Sequence, residues 1–101
     1  MGYDVKLVDA LEGSNIDLSV TYNYCKTFRN IFPTRGGFRA GIYTLDGLKA
    51  VDSLPNLTKA INKLEDFRIR GFPIDVEIIR YMDKLMKFAT ENPTFRWRIT
   101  W

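Results

Sequence analysis

Apolar and polar residues alternate along three stretches of the chain, and this spacing predicts β-strands. The first covers residues 3–9, and the second covers residues 17–24. In the second, one face holds Leu18, Val20, Tyr22 and Tyr24, and the other holds Ser19, Thr21 and Asn23. The third covers residues 95–101 and alternates Phe95, Trp97, Ile99 and Trp101 with Arg96, Arg98 and Thr100. A turn cluster at residues 12–15 allows the first two strands to form a hairpin with a long loop.

Three other stretches have apolar residues at steps of three and four, which predicts helices. A short helix begins at Cys25 and ends before Pro33. After a helical turn at residues 48–52, a second helix is expected over residues 54–66, with Ser53 as its N-cap. Asp75 is expected to cap a third helix, which ends at residues 92–93. The apolar stripe of the second comprises Ala50, Val51, Leu54, Leu57, Ile61 and Leu64, and that of the third comprises Val76, Ile79, Met82, Leu85, Met86 and Ala89.

These elements predict an α+β fold in a single domain spanning residues 1–101. We expect a small antiparallel sheet of about three strands, with two main helices and one short helix packed on one face. The apolar face of the last strand requires this cover. If that strand pairs with residues 17–24, Arg96 and Arg98 lie beside the row of Ser19, Thr21 and Asn23. The last strand is also a possible edge for pairing with a second copy of the chain.

The amino-acid composition excludes several kinds of catalytic and metal site. The chain has no histidine and one cysteine, so histidine-dependent catalysis, histidine-ligated metals and thiolate zinc sites within one chain are excluded. No carboxylate pair is arranged for acid–base work, and we predict a protein that is not an enzyme and uses no cofactor or metal. No apolar run reaches the about 20 residues of a membrane span. A signal-peptide pattern is also lacking, so we expect a cytoplasmic protein without membrane contact.

Charge is unevenly distributed in this mildly basic chain, whose formal net charge is +3. No acidic residue occurs between Asp17 and Asp46, a segment rich in aromatic and basic residues. Such a segment suits an anionic planar ligand or an acidic protein surface. The candidate binding residues are Tyr22, Asn23, Arg29, Arg35, Phe38, Arg39, Arg96 and Arg98. Structural alternatives stay open: the tyrosines as core, Asn23 as a helix cap, and the two last arginines as a solvated sheet face.

Several short motifs resemble a family of small phage and prophage proteins of about this length. They are Tyr3-Asp4-Val5, Thr21-Tyr22-Asn23-Tyr24, Gly41-Ile42, Leu54-Pro55 and Glu91-Asn92-Pro93. The resemblance implies a phage accessory protein in the cytoplasm of a bacterial host. By analogy, its function would be to inhibit a bacterial defence system by stoichiometric binding of a host protein or an anionic nucleotide signal. The alternative is a small nucleic-acid-binding module that uses the basic loop of residues 26–39.

Overall fold

A computed structural model describes residues 2–32 and 41–100, without the side chain of Tyr22. Along the chain lie β1 (Gly2–Val8), β2 (Asn15–Asp17), β3 (Val20–Thr21), α1 (Cys25–Ile31), α2 (Ala50–Ile69), α3 (Val76–Glu91) and β4 (Arg96–Thr100). Two 3-10 turns, Tyr22–Tyr24 and Gly41–Leu45, precede α1 and α2. The described elements form an antiparallel sheet and three helices, so the predicted α+β class is confirmed.

β1 is the central strand of the sheet. It pairs antiparallel with β2 and β3 along one edge and with β4 along the other. The conditional pairing of the last strand with residues 17–24 is therefore wrong. Arg98 lies opposite Lys6 of β1, not beside Ser19, Thr21 and Asn23. Alternation alone could not choose between two partner strands of similar pattern, because both offer an apolar face to the helices.

The strand predicted over residues 17–24 is instead divided. β2 and β3 keep one continuous register against β1, but the hydrogen bonding changes between them at Leu18 and Ser19. The Leu18 carbonyl accepts a hydrogen bond from the Tyr81 hydroxyl of α3 at 2.6 Å. The Val5 amide donates to Ser19 Oγ at 3.3 Å. The Val5 amide and the Leu18 carbonyl therefore bond to side chains instead of to each other, which interrupts the regular hydrogen bonding of the sheet. The chain then enters a 3-10 turn at residue 22.

α2 is one continuous helix, so the prediction that Ser53 begins a separate helix is wrong. Lys49 occupies the N-cap position, and Ser53 lies fully buried inside the helix. Ser53 Oγ donates to the Ala50 carbonyl at 2.7 Å and accepts from the indole N–H of Trp97 at 2.8 Å. The hydroxyl therefore satisfies a buried donor on β4 instead of capping a helix.

The core lies between the sheet and the helices. From the sheet it includes Tyr3, Val5, Leu7, Leu18, Trp97 and Ile99, and from the helices Phe28, Ile31, Leu57, Leu64, Met82 and Leu85. Two predicted core positions are wrong, since Val51 and Val76 are 46% and 57% exposed. Both lie in the first turn of a helix, outside the layer that the sheet covers. In α3, Ile78 is buried instead.

The outer edge of β4 is covered by the segment before α2. The Gly47 amide donates to the Trp97 carbonyl, and the Trp97 amide donates to the Leu48 carbonyl at 2.9 Å. The Ala50 amide donates to the carbonyl of Phe95, just before β4. Further along, the Ile99 amide donates to the Asp46 carboxylate at 2.9 Å. The prediction that this strand is an open edge for a second copy is therefore wrong, because its outward amides already have partners.

Candidate binding site

The structure separates the predicted binding residues into two groups. Asn23 and Arg29 lie on the helix side of the sheet, in the 3-10 turn and α1. Arg96 and Arg98 project from the opposite face of β4, since Trp97 and Ile99 between and beyond them are buried against the helices. The backbone of Tyr22 lies beside Asn23, whereas Arg35, Phe38 and Arg39 lie outside the described residues. No single surface among the described residues joins the two groups.

Polar groups on the outer face of the sheet interact mainly with one another. Arg96 donates from its guanidinium to the Gly47 carbonyl at 2.9 Å. Lys6 lies 3.7 Å from the Asp4 carboxylate. In the sheet register, Lys6 has Asp17 on one side and Arg98 on the other. Lys6 thus has an acidic neighbour on one side and a basic neighbour on the other, and acidic and basic side chains share this face.

Asp17 contributes to this arrangement through Ser19. Its carboxylate accepts from the Ser19 hydroxyl at 2.6 Å and from the Ser19 amide at 3.0 Å. These hydrogen bonds lower the pKa of Asp17, because they favour the charged carboxylate. Ser19 therefore stabilises the ionised Asp17 at this edge of the sheet.

Asn23 does not act as the predicted helix cap. The N-cap residue of α1 is Tyr24, and no side chain caps this helix. The Tyr24 hydroxyl lies 3.4 Å from the carboxylate of Asp75, the N-cap of α3. Desolvation of the ring, with the neighbouring Asp75 charge, raises the pKa of Tyr24. Asn23 itself is exposed and its side chain hydrogen-bonds to none of the described residues.

A groove of about 610 Å³ lies between α1 and the connection from α2 to α3. One wall is polar and belongs to α1. The other is apolar and comes from the end of α2 and the connection. The lining residues are Lys26, Thr27, Asn30, Phe67, Phe72, Pro73 and Ile74. The Phe67 and Phe72 rings meet edge to face, with centroids 5.8 Å apart at 82°.

The geometry of the α2–α3 connection explains why this wall is apolar and open. Gly71 adopts a φ of +85°, which lets the chain reverse after α2. The Phe72 amide then donates to the Phe67 carbonyl at 3.0 Å. Asp75 begins α3 by accepting from the Glu77 amide at 2.9 Å. Phe72 and Pro73 in this reversal are exposed, whereas Ile74 is partly buried and packs against the core.

Three large apolar side chains near this reversal are exposed: Phe72, which lines the groove, is 57% exposed, and Ile69 and Val76, at the adjoining helix ends, are 82% and 57% exposed. Together with the groove lining they form what we call the turn surface. Single exposed apolar residues are ordinary, but a group of them bordering a groove is typical of an interaction site. The sequence pattern leaves residues 68–73 between the second and third predicted helices and places Val76 in the apolar stripe of the third. The signal that this interpretation missed was an apolar sequence, Ile69 and Phe72-Pro73, around a glycine turn.

Acidic side chains near the turn have partners within the chain, whereas two basic side chains on α1 do not. Near the turn, Glu65 lies 3.6 Å from Arg68, Asp66 lies 3.2 Å from Arg70, and Glu77 lies 3.2 Å from Arg80. Asp75 caps α3. On α1, by contrast, Lys26 and Arg29 are exposed and pair with none of the described residues. α1 contains no acidic residue. The uncompensated charge beside the groove is therefore positive.

The described residues were compared with the requirements of a metal-ion site and of a membrane-spanning helix. Within residues 2–32 and 41–100, no group of three or more histidine, cysteine, aspartate or glutamate side chains is placed to hold a metal ion. None of the helices in the described ranges is both long and apolar enough to span a bilayer.

Comparison with known proteins identifies no relative of this chain. No family model matches it, and neither a curated protein nor a solved structure matches it significantly. The resemblance to small phage proteins therefore stays a prediction from the sequence.

Proposed function

We propose that this chain is a non-enzymatic binding protein that attaches stoichiometrically to a protein partner through the turn surface. The observation that carries the proposal is the exposure of Phe72 in a groove with one apolar wall, together with the exposure of Ile69 and Val76 at the adjoining helix ends. Leaving apolar area in water forgoes about 25 cal/mol per Å² of stabilisation, which a partner that covers this surface would recover. The resemblance to phage proteins gives the setting of the proposal: a phage-encoded inhibitor of a bacterial defence system in the host cytoplasm.

The apolar character of the groove favours a protein partner over an anionic nucleotide. Among the described residues of the lining Lys26 is the one that is charged, and Phe67, Phe72, Pro73 and Ile74 make up most of the rest. A nucleotide phosphate requires several converging donors, whereas aromatic and aliphatic anchors are typical of protein interfaces. The alternative function is nucleic-acid binding through residues 26–39. An oligonucleotide-binding measurement distinguishes it from peptide binding.

The test is a selection of binders from a random peptide library displayed on phage, with purified protein as bait. We expect peptides that bind the wild type and fail to bind Phe72→Ser. Leu11→Ser is the matched control, because Leu11 is 96% exposed in the loop between β1 and β2. This variant should bind the selected peptides as the wild type does. Thermal unfolding of each variant would establish that the bait is folded.

Two outcomes would overturn the proposal. One is a failure to enrich peptides, or enrichment that Phe72→Ser leaves unchanged. The other is binding of labelled single- or double-stranded oligonucleotides near micromolar protein at physiological salt, which would favour the nucleic-acid module.

A further inference from the structure

We infer that the turn surface recognises a short acidic segment of a different protein, whose aromatic side chain enters the groove while its carboxylates face Lys26 and Arg29. The inference rests on the proposed function and specifies the chemistry of the partner. The groove lining supports an aromatic anchor, and the unpaired charge on α1 supports acidic neighbours. The existing partners of nearby acidic residues favour a different protein over a second copy.

The groove has the size and lining for an aromatic anchor. A dry apolar cavity of about 150 Å³ is enough to hold benzene. The groove, at about 610 Å³, has room for a ring and for the backbone that carries it. Phe67 and Phe72 already meet edge to face, so a third ring could pack against Phe72 in the same geometry. Because Phe72 is 57% exposed, such packing would bury apolar area that is now in water.

The charge beside the anchor selects acidic neighbours. Lys26 and Arg29 are three residues apart on α1, so their side chains extend from adjacent positions of one helix. Neither has a carboxylate partner among the described residues. A segment with acidic residues beside its aromatic residue would gain two complementary contacts, and a basic segment would meet like charge at the same positions.

A second copy of this chain is a poorer match for the groove. The acidic residues that another turn surface would offer are Glu65, Asp66, Asp75 and Glu77. Each already makes an ion pair or a helix cap within its own chain. Presenting one of them to Lys26 of a second copy would divide that carboxylate between two partners, whereas a different protein can offer carboxylates without an existing partner. The structure therefore favours a different protein with free carboxylates.

Charge reversal on α1 tests the inference. Random peptide selections would be run in parallel on wild type and on the double variant Lys26→Glu, Arg29→Glu. We expect wild type to enrich an aromatic residue flanked by Asp and Glu, and the double variant to enrich an aromatic residue flanked by Lys and Arg. A peptide selected on wild type should lose about tenfold in affinity for the double variant and at least about 30-fold for Phe72→Ser.

The matched control is Lys84→Glu, Lys87→Glu, which reverses two exposed charges at the same spacing on α3. It should enrich the same peptides as wild type. If its selected peptides change as those of the α1 variant do, net charge and not the groove determines the preference, and the inference fails.

The outcomes also distinguish the inference from the proposed function. Aromatic peptides that depend on Phe72 but show no acidic excess would overturn the inference and leave the binding function standing. A lack of any Phe72-dependent peptide would overturn both. Concentration-dependent dimerisation that Phe72→Ser abolishes, measured by sedimentation, would identify a second copy as the occupant and also overturn the inference.

Discussion

The outer face of the sheet and the turn surface both carry basic side chains, yet they differ in what those side chains contact. On the sheet, Arg96 donates to a backbone carbonyl, and Lys6 lies beside acidic residues. On α1, by contrast, Lys26 and Arg29 have no acidic partner among the described residues, and the groove that Lys26 lines contains the exposed ring of Phe72. Local composition is thus a weaker guide to a binding site than unpaired charge that lies beside exposed apolar side chains. This comparison predicts that changes around the sheet alter stability, whereas changes at the turn surface alter binding.

The largest expected effect compares two isoleucines near the α2–α3 connection. Ile78 is 1% exposed and Ile69 is 82% exposed. Ile78→Ala should lower the free energy of unfolding by about 2–5 kcal/mol, because it creates a cavity in the core. Ile69→Ala should change it by less than about 0.5 kcal/mol. Urea unfolding measures both. A comparable loss in the two variants would show that the turn surface is part of the core and break the comparison.

Next in size is the buried hydrogen bond between α2 and β4. Ser53→Ala leaves the Trp97 indole N–H without its acceptor and should cost about 1–3 kcal/mol in the free energy of unfolding. Thr90→Ala is the control, since the Thr90 hydroxyl also donates to a carbonyl of its own helix but is exposed. It should cost much less. Equal losses would mean that the Trp97 indole finds another acceptor.

A smaller effect distinguishes the two arginines of β4. Arg96→Ala removes the hydrogen bond to the Gly47 carbonyl and should cost about 1 kcal/mol. Arg98→Ala, on the same face, removes no hydrogen bond among the described residues and should be nearly neutral. Neither should change the affinity of peptides selected on the turn surface. Weaker peptide binding by both variants would place the binding site on the sheet instead.

The smallest effect is the acid dependence contributed by Asp17. Its pKa in the folded protein is lowered from the ordinary value of 3.8, so its ionised form stabilises the fold above that pH. This contribution should disappear as the pH falls through the folded pKa, below 3.8. Asp17→Asn should therefore reduce the loss of stability measured in urea between about pH 5 and about pH 2. An unchanged pH profile would contradict the role of the Ser19 hydrogen bonds.

Sequence pattern predicted the elements better than their partners. β1, β4 and α3 begin and end close to where alternation, Asp75 and Asn92 indicate, because these signals are local. Strand pairing and the role of Ser53 depend on residues distant in sequence. Whether Ser53 caps a helix or accepts from Trp97 is decided by the packing of α2 on β4, which periodicity does not contain.

The turn surface shows a similar limit. Lys26 and Arg29 belong to a basic segment that is evident in the sequence, and Lys26 lines the groove while Arg29 lies three residues further along α1. Phe72 and Ile69 were missed because exposure depends on where the core ends, and a linker with apolar residues has no periodicity to interpret. Val76 fits the stripe of α3 but lies one turn beyond the neighbours that could cover it.

The pairing of β1 with β4 also has a consequence for how the chain folds. Asp4 lies opposite Thr100, so β1 cannot complete its pairing until the far end of the described chain is in place. Closing so long a loop carries an entropic cost before the contacts reward it, and contacts this distant in sequence are associated with slow folding. During synthesis the helices can form early, but the sheet remains incomplete until residues 96–100 have left the ribosome.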